Sequence, residues 1–119
     1  MSDCVFCNIK HDEYLFENDL AFAIKDGMPA CKGHCLVIPK RHVKTFFDLS
    51  GDEIKAMYEL ANKVKEYIDN LYHPDGYNVG FNVLEAGGQT VWHAHMHVLP
   101  RYLGDVPHPR GGIRKVTKK

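Results

Sequence analysis

Three histidines at alternate positions constrain this sequence more than any other feature. His93, His95 and His97 are separated by single apolar residues. Side chains alternate between the two faces of a β-strand, so the imidazoles would line one face while the residues around them enter the core, namely Ala94, Met96 and Val98. Val or Ile would pack better than histidine on such a strand. The pattern therefore indicates metal ligation or catalysis.

Length and charge narrow the class of protein. The 119 residues are enough for about one domain, and we expect a single domain over 1–119 with a flexible basic tail over 113–119. Lys plus Arg equals Asp plus Glu, at 15 each, which argues against a nucleic-acid partner. The chain has no signal-peptide pattern and no apolar run of membrane length. We therefore predict a cytoplasmic protein, with the nucleus as an alternative location, no membrane partner and reduced cysteines.

Apolar alternation predicts most of the strands. The stretch 15–25 is typical of a hairpin, with its turn at Asn18-Asp19, and strands are expected at 34–39, 77–83 and the histidine stretch 87–100. Ser50-x-x-Glu53 is a capping box that opens one long helix, whose apolar stripe continues to about Leu71. The sequence predicts an α+β fold, with about five antiparallel strands, one long helix and a short N-terminal helix.

Two chemistries could use the histidines. All three could bind zinc beside an open position for water, as in a metal-dependent hydrolase. Alternatively, one imidazole could be a covalent nucleophile, held and polarised by its neighbours. Cys4, Cys7 and His42 bear on this choice, because they need only one more ligand for a closed tetrahedral zinc site. If His93 is that ligand, no position remains for catalytic water, and His95 becomes the chemical group.

The motif around the histidines resembles that of a known family. His93-Ala94-His95-Met96-His97-Val98-Leu99 is similar to the His-φ-His-φ-His-φ-φ motif of the histidine-triad (HIT) nucleotide hydrolases and transferases, and Gly88-Gln89-Thr90 is similar to the lead-in. The stretch 33–42 also resembles the family's upstream histidine-containing segment. The resemblance extends over roughly 4–101, and Cys4-x-x-Cys7 resembles the zinc-holding members.

The resemblance implies a role for each histidine. His95 would attack the α-phosphorus of a nucleoside 5′-phosphate derivative, and water would hydrolyse the nucleotidyl-histidine. His97 would contact the phosphate and the leaving group, and His34 would buttress the triad strand. A structural zinc ion would be held by four residues: Cys4, Cys7, His42 and His93.

The same resemblance implies the substrate contacts. Gln89 and Thr90 would contact phosphate, Asp26 the ribose hydroxyls, and Asn82 the leaving group. Gly87 and Gly88 would allow the backbone to approach the phosphate. The base pocket, most often for purines, would be lined by five apolar residues: Val5, Phe6, Ile9, Ile24 and Leu36. The family also implies a homodimer with a continuous sheet.

The segment after the triad leaves the substrate open. Leu99-Pro100-Arg101-Tyr102 differs from the Gly-Gly and Trp-containing ending of the adenosine phosphoramidase members. Phosphoramidates, dinucleoside polyphosphates and other adenylates therefore all remain candidate substrates. A third interpretation is a nucleotide-binding regulatory module that acts through partners without significant turnover.

Overall fold

Five antiparallel strands and one long helix form the structure, a computed structural model that describes residues 3–116. The strands are β1 (Phe16–Glu17), β2 (Ala21–Lys25), β3 (Cys35–Pro39), β4 (Gly76–Gly80) and β5 (Met96–Arg101), and the helix is α1 (Gly51–Tyr72). The sheet order is β1-β2-β3-β5-β4, and every neighbouring pair is antiparallel. The predicted α+β fold is confirmed.

The predicted hairpin and helix caps are formed by side chains. Asn18 Oδ1 accepts hydrogen bonds from the backbone N–H groups of Leu20 and Ala21, which closes the β1–β2 turn. At the start of α1, Ser50 Oγ accepts from Glu53 N, and the Glu53 carboxylate accepts from Ser50 N, so the capping box is confirmed. The helix ends where His73 adopts a left-handed conformation at φ 52°.

The sheet separates two apolar clusters. On one face, the helical stripe packs against small strand residues, and the buried members are Ala21, Ala23, Cys35, Val37, Ala56, Met57, Leu60, Val64, Ile68 and Val98. On the other face, a second cluster joins the N-terminal segment to β2 and β3 through Phe6, Phe22, Ile24, Leu36 and Ile38. The helix thus stabilises one face and leaves the opposite face for the histidines.

The histidine strand is shorter than the sequence indicates. Strand β5 begins at Met96, so only His97 lies within it, opposite Leu36 of β3 and Gly80 of β4. The prediction that all three histidines share one strand is wrong, because Ala94 N donates to Val43 O over 2.8 Å, outside the sheet. The alternation of side chains nevertheless persists, since Met96 and Val98 pack with the helix-face cluster while His93 and His95 contact Phe6 on the other face.

Three other segments differ from the sequence expectation. The strand predicted over 77–83 ends at Gly80, and Glu85–Gly87 forms a 3-10 helix. The short N-terminal helical element is a 3-10 helix at His11–Glu13. The predicted tail begins with a 3-10 helix over Gly112–Val116, and its last residues, 117–119, lie outside the described part. No helix within residues 3–116 has the length and apolar character to cross a membrane.

Leu60 tests the helix face of the core. Leu60 is almost fully buried, and we expect Leu60→Ala to lower the free energy of unfolding by about 3 kcal/mol through lost apolar contact and a residual cavity. Urea denaturation measures the change. Glu59→Ala, one position away on the exposed face, is the matched control and should change the stability by less than about 0.5 kcal/mol. Equal losses in the two variants would contradict this assignment of the core.

Candidate active site and metal centre

The three histidines face the second cluster but meet different partners. His93 and His95 are buried at 1% and 6% exposure, and the Phe6 ring contacts both of them edge-on, with centroids 5.8 and 4.9 Å away. The ring of His97 lies 4.9 Å from the ring of His95 and 5.2 Å from that of His34. Each triad imidazole therefore has its own environment, and each can do different chemistry.

His93 lies in a cluster of two thiols and two imidazoles. Its Nδ1 is 3.4 Å from Cys4 Sγ and 3.6 Å from Cys7 Sγ, and Cys7 Sγ is 3.1 Å from His42 Nδ1. One donor atom from each residue lies within 4.8 Å of the others. Sulfur and nitrogen ligands of one tetrahedral zinc ion are about 3.5 Å apart, given bond lengths near 2.3 and 2.1 Å. These four residues fit a closed zinc site.

The hydrogen bond on the far side of His93 supports ligation through Nδ1. His93 Nε2 lies 2.8 Å from Pro39 O, and a carbonyl only accepts, so Nε2 carries the proton and Nδ1 is bare. Burial lowers the pKa of His93, which favours the neutral ring that a metal requires. Burial also raises the pKa of Cys7, so metal binding must displace its proton.

The loop that carries His42 is held by its neighbour. The Arg41 guanidinium donates two hydrogen bonds to the Glu53 carboxylate, over 2.9 and 2.8 Å, and a third to Asp48 O over 3.2 Å. This pairing lowers the pKa of Glu53 to about 2, so the carboxylate stays charged. Because Glu53 also belongs to the capping box of α1, this pairing holds the loop that carries His42 against the start of the helix. The sequence indicated the cap, but nothing in it indicated the Arg41 pairing.

His95 has one ring nitrogen fixed by the backbone. His95 Nδ1 lies 2.9 Å from His93 O, which can only accept, so Nδ1 carries the proton. The neutral ring then has its lone pair on Nε2. An imidazole nitrogen with a free lone pair can act as a nucleophile. His93 thus contributes its side chain to the metal site and its carbonyl to the orientation of His95.

His97 and His34 form a second hydrogen-bonded pair. His34 Nε2 and His97 Nδ1 are 3.0 Å apart, and His34 Nδ1 accepts from Ala30 N over 3.0 Å. Among the side-chain polar atoms of residues 3–116, His97 Nε2 is the one that is buried with no hydrogen-bond partner. Burial, together with the nearby His95 and His34, lowers the pKa of His97 to about 4, so the ring is neutral at pH 7.

Asp26 lies beside this pair. Its Oδ2 is 3.3 Å from His34 Nδ1, and its Oδ1 accepts from Met28 N over 2.9 Å. Burial lowers the pKa of His34, while the Asp26 charge opposes that effect. His34 Nδ1 therefore lies between the Ala30 N–H, which can only donate to it, and the Asp26 carboxylate, which can only accept from it. The structure brings together the three residues Asp26, His34 and His97.

Gln89 is placed differently from the sequence expectation. Its Nε2 donates to Lys44 O over 2.6 Å and to Val91 O over 3.0 Å, and its Oε1 accepts from Leu84 N over 2.8 Å. The buried amide thus ties three backbone segments together, and both of its hydrogens are used. In this arrangement it has no free donor for the phosphate contact implied by the resemblance.

Leu84 is a residue that sequence reasoning missed. It has φ 60° and ψ −179°, a conformation that residues other than glycine rarely adopt and that costs roughly 1–3 kcal/mol. Gln89 holds it there through Leu84 N and also donates its own backbone N–H to Leu84 O over 3.0 Å. These two hydrogen bonds fix the loop before the triad in its strained conformation, and no sequence pattern predicts that conformation.

The other residues expected to bind substrate divide into exposed and buried groups. Thr90 and Asn82 are exposed. Gly87 and Gly88 lie beside Asn82, and a Cβ added to either glycine would only reach van der Waals distance from it. Of the expected base pocket, Phe6, Ile24 and Leu36 are buried and Ile9 is partly buried, in the cluster on the histidine face. Val5 is 57% exposed and lies outside that cluster.

Comparisons with known proteins give the family. The HIT domain model matches residues 9–104. The chain belongs to the HIT family. An uncharacterised HIT-like protein of Methanocaldococcus jannaschii is 37% identical over 106 residues, which cover 86% of this chain and 81% of the relative. An adenylylsulfatase of Arabidopsis thaliana is 34% identical over 104 residues, which cover 84% of this chain and 53% of that protein.

Solved HIT structures share the fold. A zinc-bound histidine-triad protein from Mycobacterium smegmatis has a TM-score of 0.78 and 33% identity, covering 87% of this chain and 78% of that chain. A diadenosine triphosphate hydrolase from Plasmodium falciparum has a TM-score of 0.76 and 25% identity, covering 84% of this chain and 68% of that chain. The family therefore supports a nucleotide hydrolase or transferase type of function.

The metal centre is tested by zinc content. We expect purified protein to bind about one zinc ion per chain, and Cys7→Ser to lower zinc affinity at least 10-fold because a hard oxygen replaces a thiolate ligand. Elemental analysis and competition with a chromogenic chelator measure both. Cys31→Ser changes a thiol that bonds to Pro100 O, away from the cluster, and should bind zinc like the parent. Equal zinc loss in both variants would contradict the four-residue site.

The buried His97 makes stability depend on pH. Its pKa is about 4 when folded and about 6.5 when unfolded, so below pH 6.5 the unfolded chain binds the proton more readily. Its contribution to stability is complete above pH 6.5 and is lost as the pH falls to 4. The parent should lose free energy of unfolding between pH 7 and pH 4, and we expect this loss to be smaller in His97→Asn by roughly 2 kcal/mol after allowance for solvent screening. Urea unfolding of both proteins at the two pH values measures the difference. His108→Asn, at an exposed position, should follow the parent.

Proposed function

We propose that this protein hydrolyses nucleoside 5′-phosphate derivatives through a covalent nucleotidyl intermediate on His95 Nε2. The observation that carries the proposal is the hydrogen bond from His95 Nδ1 to His93 O, because it leaves the lone pair on Nε2. Phe6 packs against the ring and restricts its rotation. A nucleophile held in one tautomer and one orientation avoids much of the entropic cost of reaction.

The reaction would proceed in two displacements at the same phosphorus. The Nε2 lone pair attacks the α-phosphorus, and the bond to the leaving group breaks with its electron pair on that group. Water then attacks the same phosphorus, the P–N bond breaks, and the electron pair returns to Nε2 while the water proton goes to solvent. The products are a nucleoside monophosphate and the free leaving group.

Residues around His95 support this assignment by their chemistry. His97 Nε2, buried without a partner, is placed to donate to a phosphate or leaving-group oxygen, where developing charge needs stabilisation. The Asp26 carboxylate is a suitable acceptor for ribose hydroxyls. The apolar cluster of Phe6, Ile24 and Leu36 offers a surface for a base, and we propose a purine.

We also propose that the Cys4, Cys7, His42 and His93 cluster holds a structural zinc ion. When bound, zinc would join the N-terminal segment to the sheet and supply no catalytic water, because all four positions would be taken by protein. His93 would then be rigid, and its carbonyl would stay in place to accept from His95. The zinc-bound mycobacterial relative supports this proposal.

The alternatives from the sequence have less support. In a zinc hydrolase with three histidine ligands, the bare nitrogens would converge, whereas His93 Nδ1 faces the thiols, and His97 Nδ1 faces His34. A regulatory module without turnover would not require the orientation of His95. The adenylylsulfatase and diadenosine triphosphate hydrolase among the relatives favour adenylate substrates.

The homodimer and the cytoplasmic location stay predictions. Strand β4 is an edge strand, so the sheet of a second copy could pair with it.

The covalent step is tested with His95→Ala. We expect this variant to lose at least about 10³-fold in kcat for diadenosine triphosphate and adenosine 5′-phosphoramidate, because no nucleophile remains, while its zinc content is unchanged. Mass spectrometry of quenched parent protein should show one added adenylate group on the peptide that contains His95. His108→Ala is the control and should keep parent activity. Loss of zinc together with activity would favour the metal-dependent hydrolase instead.

A further inference from the structure

Leu84 lies on the loop over 82–90, between β4 and the triad, in a backbone conformation that suits glycine. Its φ of 60° and ψ of −179° fall in a region that side chains with a Cβ atom rarely occupy. Within residues 3–116, the other non-glycine residue with a positive φ is His73, whose φ of 52° and ψ of 53° are the ordinary left-handed values at a helix end. Leu84 is therefore the one position of this strained kind in the described chain.

Gln89 holds Leu84 in this conformation. The side-chain oxygen of Gln89 accepts from Leu84 N over 2.8 Å, and the backbone N–H of Gln89 donates to Leu84 O over 3.0 Å. Both peptide groups that flank the Leu84 Cα atom are thereby bonded to one residue. The Gln89 amide in turn donates to Lys44 O and Val91 O, and Gln89 is only 5% exposed. Because two other backbone segments anchor the amide, it can hold the strained residue in place.

Packing does not offset the strain at Leu84. Its side chain is 46% exposed and belongs to neither apolar cluster. Glycine at this position would have no Cβ atom and would adopt the same φ and ψ without strain. The hydrogen bonds of Gln89 must therefore offset the cost of the conformation. Without the amide, Leu84 would relax toward a negative φ, and the loop would move with it.

The ends of the 82–90 loop lie next to the triad in sequence and carry residues expected to contact substrate. Asn82 and Thr90 are at the two ends, and both are exposed. Val91, whose carbonyl accepts from the Gln89 amide, is two residues before His93. A rotation about φ inside the loop would displace these ends. A displacement of about 1 Å in an active site can lower the rate about 100-fold.

We propose that Leu84 and Gln89 are positioning residues for the hydrolysis proposed above. The Gln89 amide holds the 82–90 loop in the strained form in which Asn82 and Thr90 are presented to the substrate. This inference rests on the proposed function, and it gives Gln89 an indirect role in place of a phosphate contact. Neither positioning residue acts on the phosphorus, and the bond-making steps stay with His95.

The loss of the Gln89 amide should have an effect that depends on the residue at position 84. Gln89→Met keeps the length of the side chain and removes both amide hydrogens. We expect it to lower kcat for diadenosine triphosphate by about 10- to 100-fold, with little change in KM. In Leu84→Gly protein the same change should cost at least about 10-fold less, because glycine adopts this conformation without help. In Leu84→Ala protein it should cost as much as in the parent, since alanine keeps the Cβ atom.

Other roles of Gln89 give different results in this experiment. A direct phosphate contact predicts the same loss of kcat in the parent, Leu84→Gly and Leu84→Ala proteins. A role in folding alone predicts a lower melting temperature with kcat unchanged below it. Either result would overturn the positioning role while the parent stays active. If the parent neither hydrolyses diadenosine triphosphate nor forms an adenylate adduct on His95, the proposed function itself is wrong, and this inference falls with it.

The strain at position 84 can be measured without turnover. At an ordinary loop position glycine lowers stability relative to alanine, because it adds conformational freedom to the unfolded chain. At position 84 we expect the opposite order, with Tm of Leu84→Gly at least about 2 °C above that of Leu84→Ala. A lower Tm for the glycine variant would overturn the strained conformation. This comparison decides even if Gln89→Met does not fold.

The Gln89 amide can also be followed in the parent protein while AMP is added. In nitrogen-15 spectra we expect its side-chain NH2 signal to keep its position, because both hydrogens stay bonded to Lys44 O and Val91 O. The backbone signal of Thr90 should shift. A shift of the Gln89 side-chain signal as large as that of Thr90 would show that the amide leaves its partners for the nucleotide, and it would overturn the proposal.

Discussion

The hydrogen bond between His95 Nδ1 and the carbonyl of His93 links the two halves of the site. His93 lies in the thiol and imidazole cluster through its Nδ1, and Pro39 O orients the other side of the ring. Its carbonyl in turn accepts from His95 Nδ1, which leaves the lone pair of the neutral ring on Nε2. The orientation of the His95 ring thus depends on how firmly His93 is held. The contacts of His93 with the Cys4, Cys7 and His42 cluster, whose outer members are about 90 residues apart in sequence, contribute to holding it.

Backbone groups contact three of the imidazoles at the centre of the site. Pro39 O and His93 O each accept from a ring nitrogen, and Ala30 N donates to one. Carbonyls and amides cannot change their polarity, so each neutral ring has a single tautomer. Charged partners would have raised the pKa of the rings, whereas burial keeps His97 uncharged. The rings of the site are therefore oriented mainly by backbone contacts and by burial.

The sequence predicted features that depend on neighbouring residues better than features that depend on contacts between distant segments. The capping box and the β1–β2 turn follow from near neighbours and are as expected, whereas the buried stripe of the helix ends at Ile68 and the predicted end at Leu71 is exposed. The clustering of Cys4, Cys7, His42 and His93 was predictable because thiol and imidazole ligands have few other uses together. The start of β5 at Met96 was not, since it depends on the bond between Ala94 N and Val43 O. The ties of Gln89 and the strained Leu84 likewise depend on segments brought together only by folding.

The two faces of the sheet contact different parts of the protein, and this has a further consequence. The long helix and the small strand residues bury the apolar cluster on one face, while the histidines and the N-terminal segment occupy the other. Substitutions on the histidine face leave the side chains that pack against the helix unchanged. A domain of this length can therefore vary one face of its sheet while the other face keeps the helix in place.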